Sequence, residues 1–228
     1  MNFLINSFLS IAFSSLATIA LQGSPAQPET NDQYQDCITM LSADPDLGRR
    51  IARQWVSDGG GPDALHCLSI SDLKSGLPKM AAIRLTQISE RNDAGEPLVR
   101  ARILAQAAEA WLSAGEVAEA KLTIDKAFKL APKSGELHQT AAKIYFADEK
   151  WSDVISAVSK AEKAGFKSVD GFILRARAYK TFGNLEFAAE DVVSALTLDP
   201  YSVDALVLRG ELDQAGVSIE VYYDRPAK

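Results

Sequence analysis

Residues 110–132 of this 228-residue chain read AWLSAGEVAEAKLTIDKAFKLAP, a stretch rich in alanine with one glycine and one proline. Alanine is the strongest helix former. Gly115 is suited to end one helix, and Pro132 is suited to end the next. Between them, Ala120, Ile124 and Ala127 recur at helical spacing and share one face. The stretch predicts two antiparallel helices joined by a tight turn, with small residues where the helices cross.

The same pattern recurs at a constant spacing, counted from Ala101, Gly135 and Val169. Equivalent positions carry an aromatic residue on the first helix, mostly small residues at the helix crossings, and a turn residue between the helices. The aromatic positions are Trp111, Tyr145 and Tyr179; the crossings are Ala108, Ala120, Ala142, Val154, Ala176 and Ala188; the turns are Gly115, Glu149 and Gly183. This regular period predicts a linear array of helix pairs.

These positions resemble the tetratricopeptide repeat, a helix–turn–helix unit of about 34 residues. The resemblance covers three units at 101–134, 135–168 and 169–202. It implies an all-α fold, an α-solenoid of antiparallel helix pairs wound into a right-handed superhelix. The chain departs from the pattern at His138 and Arg175, where the family prefers apolar residues. Glu149 replaces the turn glycine and Val154 replaces the small crossing residue, so the middle unit is expected to be splayed.

The pattern continues in weaker form on both sides of the three units. Residues 62–100 form a degenerate unit with an insertion at its end, and Asp72 interrupts its aromatic position. Residues 32–61 are predicted to form an N-terminal helical pair. Residues 203–216 are predicted to form a capping helix, because the last unit of a solenoid needs its apolar face covered. The tail, residues 217–228, has a strand-like alternation and is expected to be an extension.

The N-terminus differs in composition from the rest of the chain. Residues 3–21 contain no charged side chain, and the polar stretch that follows contains Ser24 and Ala26. This predicts a signal peptide over residues 1–26, cleaved after Ala26, with a polar linker at 27–31. A periplasmic or secreted location follows. The apolar run is also long enough to remain as a transmembrane helix, which gives an inner-membrane anchor as the alternative.

The only two cysteines, Cys37 and Cys67, lie 30 positions apart. In an oxidising compartment such a pair forms one disulfide, whereas in the cytosol it would be two buried thiols. Both cysteines fall on predicted first helices of neighbouring pairs, which touch in a stacked array. Closing a loop of this length stabilises a fold by roughly 3 to 4 kcal/mol in the chain-entropy treatment.

The sequence offers little for catalysis. It lacks a phosphate-binding glycine loop, a nucleophile elbow and a zinc-protease motif, and His66 and His138 form no ligand set with the cysteines. We therefore expect no enzymatic activity, no cofactor and no metal, although an enzyme with an unrecognised site remains the less favoured alternative. The formal net charge of −6 argues against general nucleic-acid binding.

The resemblance implies a concave groove lined by the first helices. The predicted partner-binding residues are Arg102, Glu109, Gln139, Lys143, Phe146, Ile173, Arg177 and Lys180. Because they include cations beside apolar side chains, they predict a peptide or protein partner with acidic and apolar groups; an ordinary solvated face is the alternative. The lysine and asparagine that the family uses to grip chaperone C-termini are missing. The sequence thus predicts a non-catalytic interaction scaffold or adaptor of the bacterial cell envelope, or a membrane-anchored assembly factor.

Overall fold

The computed structural model describes residues 30–220, which form eleven α-helices and no strand. The helices are α1 (Thr30–Ala43), α2 (Pro45–Ser57), α3 (Gly61–Lys74), α4 (Pro78–Ser89), α5 (Pro97–Ser113), α6 (Val117–Leu130), α7 (Gly135–Ala147), α8 (Trp151–Lys163), α9 (Val169–Thr181), α10 (Leu185–Leu198) and α11 (Val203–Gln214). The all-α prediction is confirmed. The predicted signal segment and residues 221–228 of the tail lie outside the described residues.

Successive helices pair in hairpins, from α1–α2 to α9–α10, and α11 follows as an unpaired last helix. The periodicity is strict in the middle of the chain. The second helices α6, α8 and α10 begin at Val117, Trp151 and Leu185, which keep the constant spacing of the sequence pattern. The crossings are closed by small side chains, because the alanines at 108, 120, 142, 176 and 188 are fully buried. Short side chains there let the two helix backbones of each hairpin approach closely.

The tight turns of the three regular units are built in the same way. Gly115 and Gly183 adopt left-handed backbone conformations with φ of 78° and 75°, and Glu149 adopts the same region with φ of 56°. In each turn, the amide after this residue donates to the carbonyl of the aromatic residue, at 2.9 to 3.0 Å. Val154 is also fully buried. The middle hairpin, expected to be splayed, therefore turns as its neighbours do, with a glutamate in a conformation that favours glycine.

The curvature of the array follows from which helices touch across units. Consecutive first helices pack against each other as α1–α3, α5–α7, α7–α9 and α9–α11. Within residues 30–220, no two second helices make contacts as extensive. Because the more closely spaced row of a stack lies on its inner side, the first helices form the concave face. We call the groove-facing surface of α3, α5, α7, α9 and α11 the inner face.

Candidate partner-binding groove

The charged side chains of the inner face pair from one unit to the next. Within residues 30–220, four ion pairs join consecutive first helices, and we call them the charge ladder. They are Arg102–Glu136 at 2.8 Å, Lys143–Glu109 at 2.9 Å, Arg177–Asp204 at 3.0 Å and Lys180–Glu211 at 2.7 Å. These side chains remain partly or largely exposed, so each pair contributes little to stability. Their consequence for binding is that all four predicted groove cations already have a carboxylate partner.

Two of the predicted groove residues are less available to a partner than the sequence indicated. Gln139 is 6% exposed and Ile173 is 7% exposed, because their position on the first helix faces the neighbouring first helix. The side chain of Gln139 lies over the backbone of Gly171, where a Cβ atom would come within 2.5 Å of its Oε1 atom. Phe146 is half-buried and packs edge-on against Trp151, with ring centroids 5.2 Å apart. Gln139 and Ile173 therefore pack mainly between units, whereas Phe146 packs within its own unit.

A pocket on the inner face lies at its N-terminal end, between α1, α3, α5 and the inserted residues 90–96. This N-terminal pocket has a volume of about 460 Å³. Pro62, Ile88, Val99 and Ile103 form its apolar wall. Its polar lining consists of Tyr34, Asp63, His66, Asp93, Arg102 and Gln106. The pocket exists because the insertion increases the separation between α3 and α5. In the sequence, the insertion is visible only as an irregularity of the repeat period.

A hydrogen-bond chain crosses the wall of the N-terminal pocket. The Tyr34 hydroxyl lies 2.8 Å from Nδ1 of His66, and Nε2 of His66 lies 2.6 Å from Oε1 of Gln106. With the proton on Nε2, the ring accepts from the tyrosine and donates to the glutamine. Burial raises the pKa of the Tyr34 hydroxyl, and the nearby Asp63 carboxylate adds to the effect. The tyrosine therefore stays protonated and available as a donor near neutral pH.

A disulfide between Cys37 and Cys67 braces the same wall. Both cysteines are buried, and their Cα atoms lie 6.5 Å apart. Tyr34 precedes Cys37 by one helical turn on α1, and His66 directly precedes Cys67 on α3. The cross-link thus fixes α1 against α3 next to the hydrogen-bond chain. The disulfide joins neighbouring first helices, the position that the sequence predicted for the two cysteines.

A smaller pocket lies toward the C-terminal end of the inner face. This C-terminal pocket has a volume of about 190 Å³ and opens between α7, α9 and α11. It is lined by Lys143, Asp170, Ile173, Leu174, Arg177 and Asp204. The buried side chain of Ile173 forms part of its apolar wall. Lys143 and Arg177, predicted to recognise acidic groups, line it with their ladder partners beside them.

No family model matches the chain, but it is similar to known proteins in sequence and in structure. It is 30% identical over 103 residues to mouse tetratricopeptide repeat protein 16; these residues make up 45% of this chain and span only 13% of that protein. The thermophilic tetratricopeptide protein TTC0263 of Thermus thermophilus superposes with a TM-score of 0.60 at 18% identity, covering 82% of this chain and 98% of that one. The fold is a tetratricopeptide-repeat solenoid.

A second similar structure is a complex. The Cut9–Hcn1 hetero-tetramer of the APC/C contains a chain that matches with a TM-score of 0.62 at 12% identity, over 82% of this chain and 40% of that one. At this level of identity, the likeness concerns the fold of the solenoid alone.

Two buried ionic clusters of the solenoid were missed from the sequence. The fully buried carboxylate of Asp72 on α3 accepts hydrogen bonds from Arg49 of α2 at 2.9 Å and from Arg84 of α4 at 3.1 Å. Asp72 is therefore a junction of three helices, where the sequence showed only an interrupted aromatic position. A signal was present, since a charged residue at a core position requires a partner of opposite charge.

The second cluster is centred on Arg175 of α9. Its guanidinium lies 2.7 Å from Asp191 on α10 and 3.1 Å from Glu162 on α8, and it also donates to the Ser159 hydroxyl at 3.0 Å. Burial raises the pKa of the Asp191 carboxyl, and the hydrogen bonds from Arg175 offset part of that effect. The departure of Arg175 from the family pattern is thus the centre of an ionic junction.

His138 lies outside both inner-face pockets. His138 packs against Phe128, with ring centroids 4.9 Å apart, and burial lowers its pKa, so the imidazole is neutral at physiological pH. Within residues 30–220, no group of three or more histidine, cysteine, aspartate or glutamate side chains is arranged to hold a metal ion. Over the same residues, none of the helices combines the length and apolar character needed to cross a membrane.

Proposed function

We propose that this protein is a non-catalytic interaction scaffold that holds an extended segment of a protein partner along its inner face. The observation that carries the proposal is the pair of pockets between first helices, both opening on the same face. Their apolar walls are suited to side chains of a bound segment, and the surrounding polar groups are suited to fix its register.

The proposal includes the cell envelope as the compartment. It is supported by the uncharged run at residues 3–21 and by the pairing of both cysteines of the sequence, a state that an oxidising compartment maintains. We propose a periplasmic or secreted protein cleaved after Ala26. The alternative keeps residues 3–21 as an inner-membrane anchor. The intact mass of the protein purified from a bacterial envelope separates the two, because cleavage removes the whole segment from Met1 to Ala26.

Site-specific photocrosslinking tests the inner face. A photoreactive amino acid at Arg102 or Lys180, both on the inner face, should capture a defined partner in cells. The same amino acid at Ala118 of α6 or Glu186 of α10, which are exposed on second helices, should not. Adducts that form equally from both pairs of positions, or only from the second helices, would exclude the groove as the binding surface.

A further inference from the structure

The charge ladder leaves an unbalanced charge on the inner face. From α3 to α11, the groove-facing positions that recur in each unit carry four cations and six carboxylates. All four cations and four of the carboxylates are paired with each other in the charge ladder. The two carboxylates left over are Asp63 and Asp170, which make no ion pair among the described residues. The inner face therefore offers free negative charge and no free positive charge at these positions.

Each leftover carboxylate lines one of the two pockets. Asp63 lies in the N-terminal pocket, which the apolar side chains of Val99 and Ile103 also line. Asp170 lies in the C-terminal pocket, beside Ile173 and Leu174. Each pocket thus combines an apolar wall with an unpaired carboxylate. The cations that also line the pockets are already paired in the charge ladder; they are Arg102, Lys143 and Arg177. A lysine or arginine side chain matches this combination, because its methylene stem packs on apolar surface while its charged head pairs with a carboxylate.

We propose that the bound segment is basic and apolar, and that two of its lysine or arginine side chains occupy the two pockets, with their heads at Asp63 and Asp170. This inference rests on the proposed function and gives the chemistry of the partner. It reverses the acidic partner that the sequence indicated. An acidic side chain arriving at Lys143 or Arg177 would have to displace Glu109 or Asp204 from an existing ion pair.

Both carboxylates also have a local structural explanation. Asp63 and Asp170 lie in the first turns of α3 and α9, where a negative charge interacts favourably with the helix dipole. The test must therefore separate binding from helix stability. Asp153 and Glu186 provide a matched control, since they lie in the first turns of the second helices α8 and α10, are exposed and make no ion pair among the described residues.

The experiment measures binding of three fluorescein-labelled peptides to the purified oxidised protein by fluorescence anisotropy. The first contains three repeats of Ser-Lys-Val-Pro, which favours an extended backbone. The second replaces lysine by glutamate. The third replaces lysine by diaminobutyric acid, which keeps the positive charge near neutral pH and shortens the apolar stem by two methylenes. The lysine peptide should bind at least tenfold more tightly than either of the others, and added salt should weaken its binding.

Variants then assign the binding to the two pockets. Asp63→Asn with Asp170→Asn should weaken the lysine peptide about tenfold, whereas Asp153→Asn with Glu186→Gln should change it less than twofold. Replacing both aspartates by lysine should reverse the preference toward the glutamate peptide. Thermal unfolding of each variant shows whether the fold is retained.

Equal losses in the two double variants, equal binding of the lysine and diaminobutyrate peptides, or tighter binding of the glutamate peptide to the unmodified protein would overturn the inference. These failures are distinguishable from a failure of the proposed function. Photocrosslinks from the inner face to an acidic partner would support the groove as a binding surface and contradict only the proposal that its ligand is basic.

Discussion

Asp72 and Arg175 perform the same structural task with opposite charges. Each lies on a first helix, and each joins that helix to the second helix of its own unit and to the second helix of the preceding unit. Asp72 does so as a buried anion between two arginines. Arg175 does so as a largely buried cation between two carboxylates. Both junctions replace the apolar packing that the repeat pattern would place there.

Removing the central anion should strongly destabilise the solenoid. Asp72→Ala leaves Arg49 and Arg84 largely buried without their carboxylate, and breaking such a junction costs about 3 to 5 kcal/mol of the free energy of unfolding. Urea unfolding followed by circular dichroism measures the change. Asp93→Ala is the control, because it breaks an ion pair with Arg91 that is open to solvent and should hardly shift the urea midpoint. Similar shifts for both variants would mean that Asp72 is not a junction.

Replacing the Arg175–Asp191 pair by apolar side chains should cost less than breaking it. Arg175→Met alone leaves the Asp191 carboxylate, 5% exposed, without its cation and should cost about 3 kcal/mol or more. Arg175→Met combined with Asp191→Leu removes both charges and should recover most of that loss. A double-mutant cycle from urea unfolding gives the coupling energy. Additive effects of the two substitutions would contradict the pairing.

The Asp191 carboxyl should also make the free energy of unfolding depend on pH. Its pKa in the folded protein is raised, chiefly by burial, above its value in the unfolded chain. The folded state therefore holds this proton more tightly. The resulting stabilisation is complete below the unfolded pKa and is lost as the pH rises through the folded pKa.

Asp191→Asn removes this titration. The stability of the unmodified protein relative to this variant should therefore be greatest at acidic pH and decline toward neutrality. Urea unfolding of both proteins from about pH 3.5 to about pH 7 checks the trend, because a carboxyl with a raised pKa titrates within this range. A difference that grows toward neutral pH would show that the attraction of Arg175 outweighs burial.

A glycine at position 149 should stabilise the middle unit. Glu149 has a positive φ of 56°, which strains a residue with a Cβ atom, so Glu149→Gly should raise the free energy of unfolding by roughly 0.5 to 1 kcal/mol. Adding a Cβ atom at the equivalent turn, by Gly115→Ala, should lower the free energy of unfolding by about 1 kcal/mol. Thermal unfolding of the two variants gives both values, and destabilisation by Glu149→Gly would contradict the assigned turn.

The disulfide should be present in protein isolated from an oxidising compartment. Thiol titration of the denatured, unreduced chain should detect no free thiol, and two thiols per chain would refute the pairing. Reduction should lower the free energy of unfolding by up to about 3 to 4 kcal/mol, because it releases a long loop in the unfolded state. Reduction should also weaken binding of the lysine peptide, since α1 carries Tyr34 of the N-terminal pocket.

The repeat period predicts the fold because it repeats the alanine crossings and the turn residues, which act locally. Arg102 and Glu136, which occupy equivalent positions in consecutive units and have opposite charge, could have indicated the ladder. The N-terminal pocket could not be foreseen, because it depends on how residues 90–96 displace α5 from α3. The junctions at Asp72 and Arg175 were missed because their partners lie on other helices, at spacings set by tertiary packing and not by the period.

A linear array has a weakness that a globular domain lacks, because a terminal repeat has a neighbour on one side only and tends to fray. The two ionic junctions lie close to the two ends of the described array, across α2–α4 and across α8–α10. Each ties three successive helices into one block. Opening that starts at either end must break a buried charge cluster before it reaches the central units, so local unfolding of the outer helices becomes coupled to the body of the solenoid.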